Sequence, residues 1–224
     1  DLSISAEGRD LRISGELFVR SAALLAAFAT ASAVVARAGA APLGAHMIAF
    51  QLFVFGALVL DAVAIAAQVL VGRALGAGDA DGARAAGWRV MLWALVAGCA
   101  FGLVLFAARD VIPRAFTSDA EVLEQAAEVW WLFALMQPLA ALVFALDGIL
   151  IGAGDTRFLA GSMVVAGPLV YMPVALLSLA FGWGILGVWF GLVGLMLARF
   201  ALLGARWLGG RWAVTGAVRA AASR

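Results

Sequence analysis

Ile48-Ala-Phe-Gln-Leu-Phe-Val-Phe-Gly-Ala-Leu-Val-Leu-Asp-Ala-Val-Ala-Ile-Ala-Ala-Gln-Val-Leu-Val-Gly72 is a stretch of 25 residues with one charged side chain, Asp61. At a helical rise of about 1.5 Å per residue it is long enough to cross the roughly 30 Å hydrocarbon core of a bilayer. Five further runs of this kind flank it: Leu17 to Val35, Val90 to Ala108, Val129 to Ile151, Phe158 to Phe181 and Ile185 to Leu208. The chain is 65% hydrophobic and only 13% charged, whereas a soluble domain carries about 25% charged residues. In lipid a helix satisfies its backbone hydrogen bonds internally. The expected fold is therefore an all-α membrane protein of six transmembrane helices.

Charge orients the bundle. Twelve arginines fall before the first run, in alternate connections, or at the end of the chain: Arg9, Arg12, Arg20, Arg73, Arg84, Arg89, Arg157, Arg199, Arg206, Arg211, Arg219 and Arg224. Three, Arg37, Arg109 and Arg114, fall in the other connections. The positive-inside rule then predicts both ends of the segment on the cytoplasmic side of the cell membrane. On that map Trp130, Trp131 and Trp183 form the outer aromatic belt, and Trp88, Trp207 and Trp212 the inner one. Residues 1–16 read as the tail of a cytoplasmic linker, 17–208 as the six-helix unit and 209–224 as a basic cytoplasmic tail. The whole reads as a piece of a longer protein.

Several chemistries lack their residues. A net charge of +1 gives no basic face for nucleic acid. The lone Cys99 excludes a disulfide framework and a cysteine metal site, and is expected as a small buried hydrophobe. Leu75-Gly-Ala-Gly-Asp-Ala-Asp-Gly-Ala-Arg84 lacks both the Gly-Lys-Ser/Thr ending of a phosphate loop and the twelfth-position Glu of an EF-hand, so its glycines suit a helix end and turn. No metal site and no nucleophile with its base stand out, and an enzyme is not expected. Ser118 and Glu121 have capping-box spacing, which predicts a helix from Asp119 into the fourth span. Glu121, Glu124 and Glu128 then share one side of it as a solvated face.

The polar residues inside the runs carry the functional expectation. Asp61 lies about 16 Å from Gly72 along the helix, near the bilayer midplane, where a charged carboxylate costs about 2.5 to 3.5 kcal/mol on the gentlest scale. Gln68 shares its face; Gln51 is turned roughly 80° away. Asp147 lies about 12 Å before Asp155, followed by Gly148 and Gly152, which also suit close helix packing. A carboxylate that gains and loses a proton suits ion coupling, and Asp61 and Asp147 are the candidates for coupling or substrate binding. Gln51, Gln68, Gln137, Tyr171 and Arg20 are candidate pathway lining, with a snorkelling Arg20 beside Glu16 as the competing reading. Pro138, Pro168 and Pro173 predict kinks in the fourth and fifth spans. His46 is expected at the interface rather than as a ligand.

Leu43-Gly-Ala-His-Met-Ile-Ala-Phe-Gln51, Leu60-Asp-Ala-Val-Ala-Ile-Ala-Ala-Gln68 with Val71-Gly-Arg-Ala-Leu-Gly-Ala-Gly-Asp79, and Leu146-Asp-Gly-Ile-Leu-Ile-Gly-Ala-Gly-Asp155 together resemble the multidrug and toxic compound extrusion (MATE) family. The Asp61 and Asp147-Gly148 segments resemble its DinF-like branch. The likeness runs from about Glu16 to Gly210. It implies twelve helices in two six-helix lobes, this chain being the second, and cation-driven export of amphipathic, often cationic, small molecules through the cleft between lobes. The missing N-terminal lobe and membrane lipid are the implied partners, with no cofactor beyond the coupling ion. Another branch of the family carries a carboxylate in the first helix of this lobe as part of a cation site. Leu17 to Val35 has none, which favours H+ over Na+. A flippase of lipid-linked precursors would call for a strongly basic cavity, and a non-transporting membrane scaffold would make both aspartates packing residues.

Overall fold

The computed structural model describes the backbone of residues 2–215 and the side chains of Phe18, Val19 and residues 21–215; Arg20 lies outside the described side chains. The described residues form α1 (Leu2–Ala38), α2 (Ala40–Gly76), α3 (Ala80–Ala107), the short α4 (Ile112–Phe116), α5 (Ala120–Gly152), α6 (Thr156–Val164), a π-helical segment (Val165–Tyr171), α7 (Met172–Phe181) and α8 (Gly184–Leu208). Six helices are long and apolar enough to cross a membrane, with α6, the π segment and α7 forming one of them. The expected all-α, six-span architecture is what the structure has.

The helices outrun the apolar runs because caps, not hydropathy, set their ends. Only Gly39, at φ 130°, separates α1 from α2. Asp79 starts α3 by accepting the Gly82 amide at 2.7 Å. The start of α5 corrects the expected capping box: Asp119, not Ser118, is the cap, its Oδ1 accepting the amides of Glu121 and Val122 at 2.9 and 3.4 Å. Thr117 Oγ1 fixes that cap by accepting the Asp119 amide.

The same tetrapeptide ends α2 and α5: Gly76-Ala-Gly-Asp79 and Gly152-Ala-Gly-Asp155. In both the second glycine is left-handed, at φ 84° for Gly78 and 76° for Gly154. In both the aspartate amide reaches back to a helix carbonyl, Ala74 or Leu150, at 2.9 Å. This closes the orphan carbonyls of a helix C-terminus. The two aspartates then diverge, Asp79 capping α3 and Asp155 pairing with Arg206.

The centre of the bundle is α5. Two thirds of its span is buried (67%), against 22% for α2 and 33% for α3, and it packs on α2, α3 and α8. Small residues make the close approach possible. A Cβ on Gly148 or Gly152 would collide with the backbone of α2 at Ala64 or Gln68, and one on Gly98 or Gly102 with α5 near Pro138 or Ala134. The first helix packs chiefly on α6, and to a similar, lesser degree on α2 and α7.

The proline expectations resolve differently. Pro138 removes a donor yet α5 continues as one helix through it. Around Pro168 the chain widens into the π segment, whose exit is marked by the Met172 amide bonding Gly167 O, five residues back. Pro173 is the second residue of α7.

Two packing expectations are corrected. The belt is only partly a belt: Trp88, Trp131 and Trp183 are exposed, but Trp130, Trp207 and Trp212 are buried. Trp130 Nε1 donates to Leu105 O at 2.8 Å, and Trp207 stacks on Trp212 at 4.5 Å between ring centres. The indole nitrogens of Trp130 and Trp212 thus find carbonyls inside the protein, Leu105 O and Trp207 O, rather than at a lipid interface. Cys99 is exposed, not buried, because its neighbour Gly98 takes the face that meets α5.

Candidate functional site

Leu60, Ala64, Ala67, Val71 and Leu75 recur every three or four residues and form the buried stripe of α2. Asp61 and Gln68 lie roughly 60 to 80° round the helix from the centre of that stripe, and both are exposed. Gln51 is exposed on the side away from it. Val54, Leu58 and Ile65, also exposed, surround Asp61 on its face. The structure therefore sets Asp61, near mid-span, and Gln68, two turns on, together on an outer surface of the bundle.

Asp147 is elsewhere. It lies on α5 at 2% exposure and meets Arg199 of α8, whose Nη2 lies 2.5 Å from Oδ1 and 2.6 Å from Oδ2. Sequence reasoning missed this partner and counted Arg199 with the cytoplasmic arginines. It is instead buried within a membrane-length helix, and eleven arginines remain to set the orientation. The available signal was that both charges stand inside apolar runs rather than beside them, Arg199 nine residues before the end of its run and Asp147 four before the end of its own, on two spans that run in the same direction. A second pair lies at the helix ends, Arg206 Nε to Asp155 Oδ2 at 2.6 Å, half-buried, with the guanidinium 5.1 Å from the Phe158 ring centre.

The remaining candidates separate. Gln137 is buried and donates to Phe133 O of its own helix at 2.9 Å, one turn back and beside Pro138. Tyr171 is buried in the π segment with its ring on Gly191 of α8, and its hydroxyl finds no partner among the described residues. His46 is fully buried among protein side chains, stacked on Phe50 at 5.7 Å, edge-on to Trp189 at 6.0 Å, with Nε2 3.5 Å from Ser32 Oγ. Glu121, Glu124 and Glu128 are exposed. Among the described residues no group of three or more His, Cys, Asp or Glu is arranged to hold a metal.

Residues 17–177 match the family described as MatE. The chain is 31% identical over 213 residues to Protein DETOXIFICATION 44, chloroplastic, of Arabidopsis thaliana, an alignment covering 94% of this chain and 39% of that protein. It is 34% identical over 124 residues to Multidrug and toxin extrusion protein 2 of Mus musculus, covering 55% of this chain and 22% of the relative. In three dimensions it is similar to the eukaryotic MATE transporter AtDTX14, with a TM-score of 0.84 at 22% identity over 97% of this chain and 49% of that one. A MOP superfamily transporter from Pyrococcus furiosus aligns with a TM-score of 0.80 at 18% identity, covering 88% and 44%. The chain thus spans no more than about half the length of these relatives. Six membrane helices in this arrangement form one lobe of such a transporter, and the chain belongs to the MatE family.

Proposed function

We propose that the chain is one six-helix lobe of a secondary active exporter, working against a second lobe across a cleft lined by the Asp61 face of α2. The observation that carries this reading is the exposure of Asp61 near mid-span, with Gln68 exposed on the same face two turns on, in a chain of this family. On a lone lobe that surface would meet hydrocarbon, where a carboxylate is costly. A facing lobe turns the same surface into the wall of a polar pathway. The relatives' names, multidrug and toxin extrusion, support export of small molecules. An acidic group among Val54, Leu58 and Ile65 suits an amphipathic cation, whose charge and apolar body both find partners.

Proton coupling is the better fit to this face. A bound sodium ion needs several oxygen ligands at once, whereas a proton needs one carboxylate, and α2 presents one. The DinF-like character of the Asp61 segment and the absence of a carboxylate in Leu17 to Val35 point the same way. The arginine asymmetry supports a cell-membrane orientation with the two Gly-Ala-Gly-Asp turns inside.

The test is Asp61→Asn in the full-length protein. Asn keeps size and hydrogen bonding but cannot exchange the proton, so insertion persists and export driven by an imposed pH gradient in vesicles is lost. Undiminished gradient-driven export by the variant refutes the assignment. Export by the wild type that follows a sodium gradient and ignores pH refutes the choice of ion.

A further inference from the structure

A carboxylate inside the bilayer needs a compensating charge or a proton. For Asp147 the compensation comes from within the lobe, through the Arg199 guanidinium on both of its oxygens, with side chains only 3% and 4% exposed. The second pair, Asp155 with Arg206, repeats the arrangement nearer the helix ends. The two pairs join residues 52 and 51 apart in sequence. Along α8 the two arginines are seven residues apart, about 10.5 Å; on the other side Asp147 lies within α5, whereas Asp155 lies in the turn that closes α5 after Gly152, so the second pair ties α8 to the end of α5.

We infer that Arg199 is a built-in counter-ion for Asp147, and that this pair, with Asp155–Arg206 as a second rung, clamps α8 to α5 and keeps Asp147 out of ion exchange. Arginine cannot be neutralised in a protein. Taking up a proton at Asp147 would leave Arg199 as an uncompensated buried charge, the costliest state open to the pair. Its Nε already has no partner among the described residues, so no nearby acceptor stands ready for the guanidinium if Asp147 lets go. In this lobe α5 and α8 move as one body, and exchange falls to the Asp61 face. That last clause rests on the exporter reading; the clamp does not.

The experiment uses the full-length protein, heated in detergent and scored for the fraction that remains monodisperse, with export measured alongside. Asp147→Asn lowers the midpoint by roughly 6 °C or more. Arg199→Gln lowers it less, because a carboxylate that loses its arginine can take up a proton, whereas an arginine that loses its carboxylate cannot give one up. Two doubly substituted proteins, Asp147→Asn with Arg199→Gln and Asp147→Leu with Arg199→Met, remove both charges; at least one regains the wild-type midpoint and exports with the wild-type pH dependence. A single variant as stable as wild type overturns the clamp, as does failure of both doubles to regain stability. A stable double that has lost gradient-driven export overturns the exclusion of Asp147 from exchange. A wild type that exports nothing fails the exporter reading and leaves the thermal result to decide the clamp.

Discussion

Replacing Gly148 by alanine tests the packing on which the whole lobe depends. The added Cβ would stand in contact with the Ala64 carbonyl of α2, and 2.7 Å from the Ala64 carbonyl carbon and Cα. Ordinary contact begins at about 3.4 Å, so α5 and α2 must part by about 1 Å, since backbone rather than a flexible side-chain end lies in the way. Overpacking of this kind costs about 2 to 3 kcal/mol, which for a domain of this size lowers the thermal midpoint by about 4 to 12 °C. Gly161→Ala is the matched control: it lies inside α6 with no atom within 4 Å of the new Cβ, so it gains about 0.5 to 1 kcal/mol of helix propensity and raises the midpoint slightly. The assay is the heat series on intact protein in detergent, read as the monodisperse fraction. Export falls with Gly148→Ala as well, because Asp61 is one turn from Ala64 and moves with it. A midpoint for Gly148→Ala at or above that of Gly161→Ala would refute the close-contact account of the α2–α5 crossing.

Two further outcomes are expected. Asp119→Ala removes the cap of α5 and costs about 1 kcal/mol, while Ser118→Ala leaves the heat midpoint unchanged; equal losses would restore Ser118 to the cap. In intact cells Cys99 reacts with a lipid-soluble maleimide and resists a charged thiol reagent; in a Cys99→Ala background, single cysteines at Asp79 and Arg211 are protected from that charged reagent and one at Ser118 is labelled, the reverse pattern inverting the orientation.

The six spans were legible because hydrocarbon imposes length and apolarity on every crossing helix, and runs such as Ile48 to Gly72 state both directly. Asp61 was legible as an outlier in such a run, and its shared face with Gln68 followed from helical geometry alone. Its outward exposure was not, because which side of α2 meets α5 is decided by Ala64, Ala67 and the glycines opposite them. Arg199 was missed for a related reason: counting arginines by segment treats one inside an apolar run as a flanking charge, and only the partner on another helix reveals it. Trp130 and Trp212 illustrate the same limit. Composition tells which side chains suit an interface, whereas burial of their indole nitrogens depends on which carbonyl a neighbouring turn offers.

The widened turns at Val165–Tyr171 bear on how this span accommodates length changes. A π segment carries more residues per turn than the α-helix around it, so it acts as a store of slack in the chain. Removing one residue there would let the span close into a continuous α-helix without shortening its hydrogen-bonded path. The consequence is local: the bulge takes up the loss, and the side chains of α7 keep their present phase, with Ala175 and Ser178 turned inward and the Ser178 hydroxyl on the Gly184 carbonyl at 3.1 Å. A deletion in a span without such a bulge would instead swing everything beyond it by about 100°. The seven residues Val165–Tyr171 are therefore where this span tolerates a one-residue change of length.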